Sequence, residues 1–124
     1  MNGRRILLVE DDRFLRRACE ASLRQRGFSV AVAVDGEEAL DKVRQAPPDL
    51  ILLDLLMPRM TGLEVLRTLR AQEPTRGIPV LILSNSSREQ DAEEIRTLGV
   101  SDYLVKANLS LQELGDRVTR LLEG

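Results

Sequence analysis

Leu50-Ile51-Leu52-Leu53-Asp54 is a run of four aliphatic residues that ends in a carboxylate, and Pro47-Pro48 stands just ahead of it. A short apolar run without alternation reads as a strand buried on both faces, the habit of parallel sheets. Ile6-Leu7-Leu8-Val9 repeats the pattern and runs into Glu10-Asp11-Asp12. If the two strands are neighbours, several carboxylates meet at one mouth. Two carboxylates about 4 Å apart repel by roughly 4 kcal/mol at an effective dielectric near 20. A divalent cation is the simplest remedy, and hard oxygen ligands suit magnesium.

Outward from these runs, strand and helix alternate. The first strand is expected at residues 5–9, and a helix at 12–26, stopped by Gly27. Residues 28–34 alternate and are rich in valine, which suits a strand with one more exposed face. Asp35-Gly36-Glu37-Glu38 has the form of a capping box opening the second helix, which ends at Pro47-Pro48. The third helix starts near Gly62, and residues 78–83 form the fourth strand. Ser86-Ser87-Arg88-Glu89 can cap the fourth helix, and Gly99 closes it. The fifth strand is expected at 102–106, and Ser110-Leu111-Gln112-Glu113 is another capping box, opening the last helix, which reaches Leu122. Five strand–helix units in strict alternation predict an α/β fold: a three-layer, doubly wound, five-stranded parallel sheet with helices on both faces.

Composition sets bounds on function. The chain has 124 residues, one domain's worth, and 43% of them are hydrophobic, enough for a sizeable core. A net charge of −2 gives no electrostatic footprint for nucleic acid. The single cysteine, Cys19, excludes a disulfide framework and suits a reducing compartment. No apolar run approaches the roughly 20 residues of a membrane span, and no signal-peptide pattern is visible, so a cytoplasmic domain over 1–124 is expected. There is no histidine, which excludes histidine acid–base chemistry and histidine metal ligation.

In open α/β sheets, sites lie beyond the carboxyl ends of the strands. Here those ends carry Glu10-Asp11-Asp12, Asp54, Ser84 and Lys106. Lys106 stands out because only it and Lys42 are lysines among 18 basic residues. A lysine at a strand end suits a need for a compact ammonium rather than a planar fork. Each residue has a bland alternative: adjacent acids after a strand are commonly turns or caps, and Asp12 is expected to be an N-cap. Cys19 reads as a small buried hydrophobe. The arginines of the first helix read as a solvated face, with Arg16–Glu20 and Glu20–Arg24 pairs four apart. Their alternative is docking of a partner's helix beside the site.

Leu8-Val9-Glu10-Asp11-Asp12, Asp54-Leu55-Leu56-Met57-Pro58 followed by Gly62, Leu83-Ser84, and Tyr103-Leu104-Val105-Lys106 together resemble the response-regulator receiver domain of two-component signalling. The resemblance covers essentially the whole chain. It implies a flavodoxin-like strand order of 2-1-3-4-5. It makes Asp54 the acceptor of a phosphoryl group from a sensor histidine kinase or a histidine phosphotransfer protein, forming an aspartyl phosphate. It makes Asp11, Asp54 and the Leu56 backbone carbonyl ligands of Mg²⁺, with Glu10 holding the metal through water. Lys106 and Ser84 would contact the phosphoryl group, and Ser84 and Tyr103 would form a switch. A downstream protein would dock on the face of helix 4, strand 5 and helix 5. The implied role is a phosphorelay switch rather than an enzyme, with no direct DNA binding and no membrane contact.

Two other classes are weighed against it. An aspartate-nucleophile phosphatase of the haloacid-dehalogenase type needs a second Asp two residues after the first, and position 56 is Leu. An unphosphorylated pseudo-receiver is disfavoured by intact Asp11, Asp54 and Lys106. The chain departs from the family at Asn85, where alanine or glycine is usual, and at Ala107, where proline is common; a trans Lys106-Ala107 bond is expected. Leu56 and Ser86 occupy positions that tune dephosphorylation in the family. Leucine cannot orient an attacking water, so a long-lived phosphoryl group is expected.

Overall fold

The computed structural model of the chain describes residues 3–57, 59–85 and 92–123. The elements run β1 (Arg5–Val9), α1 (Arg13–Gln25), β2 (Ser29–Ala33), α2 (Gly36–Gln45), β3 (Leu50–Asp54), α3 (Gly62–Ala71), β4 (Val80–Ser84), α4 (Ala92–Leu98), β5 (Asp102–Val105) and α5 (Leu111–Glu123). Two short 3₁₀ turns, Glu73–Thr75 and Lys106–Asn108, complete the list. All strand pairs are parallel and the order is β2-β1-β3-β4-β5, the expected class and topology.

The apolar runs make this sheet because every residue of β3 and β4 is buried. Alternate residues serve opposite faces. Leu7, Val9, Ile51, Leu53, Val80 and Ile82 face α2, α3 and α4, where Leu40, Val43, Leu66, Leu69 and Ile95 meet them. Ile6, Leu8, Leu50, Leu52, Leu81 and Leu83 face α1 and α5, against Leu23, Leu114, Val118 and Leu122. Cys19 is buried in that second layer. Burial, and then the charge of Glu10, push its thiol up to about 11, so it stays a protonated packing group.

Strand ends differ from expectation where the backbone dictates. β4 opens at Val80 because Pro79 has no N–H to give the ladder, although its carbonyl still accepts from Ile51 N–H (3.0 Å). β5 ends at Val105, and Lys106 begins a 3₁₀ turn. The chain contains no cis peptide among the described residues, so Lys106-Ala107 is trans, as expected.

The caps hold the helix starts. Leu15 N–H donates to Asp12 Oδ1 (3.1 Å), which makes Asp12 the N-cap of α1. Glu38 N–H donates to Asp35 Oδ1 (2.9 Å), but the Glu38 carboxylate reaches past Asp35 to Val34 N–H (2.8 Å). The complete capping box is Thr61 with Glu64, on a helix whose start was expected but whose cap was not recognised. Glu113 N–H donates to Ser110 Oγ (3.0 Å). The expected cap at Ser86-Ser87-Arg88-Glu89 lies outside the described residues. Gly27 and Gly99 take φ of 95° and 83°, the left-handed stop that ends α1 and α4.

Gly115 sits inside α5, where glycine weakens a helix by about 1 kcal/mol relative to alanine. A Cβ there would lie 2.2 Å from Arg26 Nε. The guanidinium crosses the bare backbone to reach the Gln112 carbonyl (3.2 Å) and Asp116 Oδ1 (3.0 Å), tying the end of α1 to α5.

Candidate functional site

The register brings the strand ends level. Val9 pairs with Leu53, Asp54 with Leu83, and Ser84 with Val105. Asp54 and Ser84 are the last residues of β3 and β4; Glu10 follows β1, and Lys106 follows β5. The side-chain period of two then sorts them. Glu10 continues the face of Ile6 and Leu8, and Asp54 that of Leu50 and Leu52. Ser84 continues the opposite face, that of Val80 and Ile82. Tyr103 pairs with Ile82 and packs half-buried on the same side.

Carboxylate oxygens of Glu10, Asp11 and Asp54 lie within 4.8 Å of one another. Asp11 is exposed, whereas Glu10 and Asp54 are 0% and 1% exposed. Lys106 Nζ lies 2.8 Å from Glu10 Oε1 and 3.1 Å from Asp54 Oδ1. One ammonium therefore faces two buried carboxylates. Leu56 N–H donates to Asp54 Oδ1 (3.1 Å), and Asp12 N–H donates to Glu10 Oε2 (3.0 Å). Asp54 Oδ2 is buried without a hydrogen-bond donor among the described residues.

The electrostatics follow from this imbalance. Burial, then the charge of Glu10, raise the Asp54 carboxyl to about 7, although Lys106 pulls it down. Burial pulls Lys106 down, but its contacts with Glu10 and Asp54 outweigh that, and it is held above the ordinary lysine value. The donor set is all oxygen and anionic, one buried oxygen is unpartnered, and charge at the site is short by a cation. These residues fit a hard divalent ion of the magnesium type.

Two further residues support this site. Arg16 does not pair with Glu20. Its Nη1 donates to the Glu10 and Asp11 carbonyls (3.0 and 3.3 Å), bracing the loop that carries the acids. The signal was present: α1 has no acid in its first turn, where the helix dipole favours one, and places arginines there instead. The Glu20–Arg24 pair does form (3.0 Å). Gly62 is the second support. A Cβ there would lie 2.3 Å from the Asp54 carbonyl oxygen, and Gly62 N–H donates to the Leu55 carbonyl (3.0 Å). Only glycine lets α3 start so close to the end of β3. Leu56 is 59% exposed beside Asp54, and Asn85 is exposed. Ser84 is buried at the rim, and Ser86 lies outside the described residues.

Comparison with known proteins bears on the family and the fold. The sequence profile described as "Response regulator receiver domain" matches residues 6–119. Response regulator MprA of Mycolicibacterium vanbaalenii is 42% identical over 120 residues, 95% of this chain and 50% of that protein. The chain thus spans about half the length of that curated relative. Among solved structures, the Vibrio cholerae chemotaxis protein CheY4 is 31% identical with a TM-score of 0.88, covering 97% of this chain and 99% of that one. The receiver domain of sensor histidine kinase PA1611 from Pseudomonas aeruginosa is 33% identical with a TM-score of 0.88, covering 98% and 99%. Its structure has a magnesium ion coordinated in the active site cleft.

Proposed function

The chain belongs to the response regulator receiver domain family, and from this we propose that it is a single phospho-accepting domain in which Asp54 takes a phosphoryl group from a phosphohistidine. The observation that carries the proposal is the Asp54 carboxylate. It is buried, one oxygen lacks a donor among the described residues, and Lys106 stands 3.1 Å from the other. In the transfer, the P–N bond of the donor breaks as a P–O bond to Asp54 forms. The donor ring carries a proton on its other nitrogen, so the nitrogen that keeps the electron pair leaves as part of a neutral imidazole. The donor is a sensor histidine kinase or histidine phosphotransfer protein, since this chain has no histidine of its own.

Asp11, Asp54 and the Leu56 carbonyl would hold Mg²⁺, with Glu10 behind them. When bound, the ion neutralises the carboxylates and the phosphoryl oxygens together. Lys106 leaves its carboxylate partners to meet the new charge. Ser84 bonds a phosphoryl oxygen, and its movement frees space on the face it shares with Tyr103. The Tyr103 ring then turns inward, and the surface formed by α4, β5 and α5 presents a changed shape to a downstream protein. A cytoplasmic location fits this partnership; no helix among the described residues is long and apolar enough to cross a membrane.

Incubation with Mg²⁺ and a small acyl phosphate, followed by intact mass, is expected to give one phosphoryl adduct on the wild type and none on Asp54→Asn. No adduct on the wild type, or an adduct that persists in the variant, defeats the proposal.

The exposed Leu56 side chain offers no hydrogen bond to a water attacking the phosphoryl group. Leu56→Asn and Leu56→Gln should therefore shorten the aspartyl-phosphate half-life by about tenfold, a gain of roughly 1.4 kcal/mol in transition-state stabilisation. The decay is followed in Mg²⁺ after removal of the donor. Unchanged or slower decay in both variants sinks this expectation.

A further inference from the structure

β2 is the edge of the sheet, paired among the described residues only with β1. The pairing fixes which backbone groups face outward. Ser29 N–H donates to the Arg4 carbonyl (2.9 Å), and the Ala33 carbonyl accepts from Glu10 N–H (3.0 Å). Residues 29, 31 and 33 therefore turn their polar groups inward, toward β1. Val30 and Val32 turn theirs outward. A row of outward N–H and C=O groups is a template for another strand.

Here that row is covered from both layers. Arg24 of α1 donates through Nη2 to the Val30 carbonyl (2.6 Å). Lys42 of α2 donates through Nζ to the Val32 carbonyl. Glu38 of α2 accepts from Val34 N–H just beyond the strand (2.8 Å). Each cation is held in turn by an acid one helical turn away: Arg24 by Glu20 (3.0 Å) and Lys42 by Glu38 (3.4 Å). The two helices thus reach around opposite faces of the sheet and meet its free edge with matching charge. This also accounts for the chain's other lysine: a compact ammonium can approach a single carbonyl from the side.

We infer that Arg24, Lys42 and Glu38 close the β2 edge, and that the surface they close is one on which β2 of a second copy would add. The added strand would be antiparallel across a twofold axis, so that the same groups on both copies pair. The device keeps the sheet at five strands. It is independent of the chemistry at Asp54.

The test is the full chain with Arg24→Met and Lys42→Met together, which keeps the apolar stems and removes both donors. Sedimentation of the metal-free, unphosphorylated protein should show self-association tighter by about tenfold or more than in the wild type. Amide exchange should slow at Val30 and Val32, which are outward-facing in the monomer and shielded in the dimer. Arg24→Lys with Lys42→Arg should stay monomeric. If the double methionine variant fails to fold, each single variant opens one carbonyl and should move both readouts the same way. A folded variant that stays monomeric overturns the inference. So does one that associates while Val30 and Val32 exchange as in the wild type.

Discussion

Replacing Lys106 with methionine should destabilise the metal-free protein by about 3 kcal/mol at pH 8. Lys106 is the cation within reach of both Glu10 and Asp54, at 2.8 and 3.1 Å, and both carboxylates are almost wholly excluded from water. Methionine fills the same space but leaves two buried anions facing each other. For a domain of this size the melting temperature should fall by roughly 10–15 °C. Two features separate this cause from lost packing. The loss should shrink near pH 6, because Asp54, already raised to about 7, takes up a proton and removes one of the two charges. It should also shrink when Mg²⁺ is added, since a divalent ion restores the missing positive charge. A loss that is equal at pH 6 and pH 8 and insensitive to Mg²⁺ would show that Lys106 acts through packing alone.

Asp54→Asn should have the opposite sign. An acid whose folded value is raised contributes stability that is fully present below its unfolded value, near 4, and lost as pH rises through its folded value. For Asp54 the window therefore runs from about 4 to about 7. Above it, the wild type carries a buried carboxylate that asparagine replaces with a neutral group of the same shape. At pH 8 without metal the variant should be more stable on the order of 2–4 kcal/mol, and below pH 4 the two should converge. Melting temperatures of both proteins across that range, compared pairwise, cancel the titration of every other group. Mg²⁺ should raise the wild type and leave the variant nearly unmoved. A variant less stable than the wild type at pH 8 would mean that Lys106 dominates over burial at this carboxylate.

These effects belong to one economy of charge. The fold places Glu10 and Asp54 on the same face of adjacent strands and buries both, so their repulsion cannot be relieved by solvent. One lysine offsets part of it. The remainder is what makes the site receptive to a cation and, through it, to a phosphoryl group. Stability withheld from the metal-free state becomes affinity for the ligand, a relation often found where function and stability compete for the same residues.

How much of this was legible depended on distance along the chain. The strands were visible because branched aliphatic runs such as Leu50-Ile51-Leu52-Leu53 carry their own periodicity, and helix starts such as Asp12 and Asp35 carry their caps beside them. Thr61 and Glu64 were equally local and could have been found. The reason for Gly115 is Arg26, 89 positions earlier, and nothing beside it in the chain points there. Arg16 looked like half of a helical ion pair, because Glu20 lies one turn away; the carbonyls it holds are available only once α1 folds back over the end of β1.

The sequence by itself determined the alternation of elements, the parallel sheet, and the identities Glu10, Asp11, Asp54, Ser84 and Lys106 at its rim. Those follow from periodicity and from residue type at the ends of apolar runs, which are properties of neighbours. Only the tertiary structure decided that Lys106 stands between two carboxylates, that Asp54 keeps one oxygen unpartnered among the described residues and rises to about 7, and that Ser84 shares its face with Tyr103. It alone decided that Arg24 and Lys42 meet the carbonyls of β2. Ionisation and edge protection depend on burial and on angstrom-scale separations between residues distant in the chain, and strand register is what sets both.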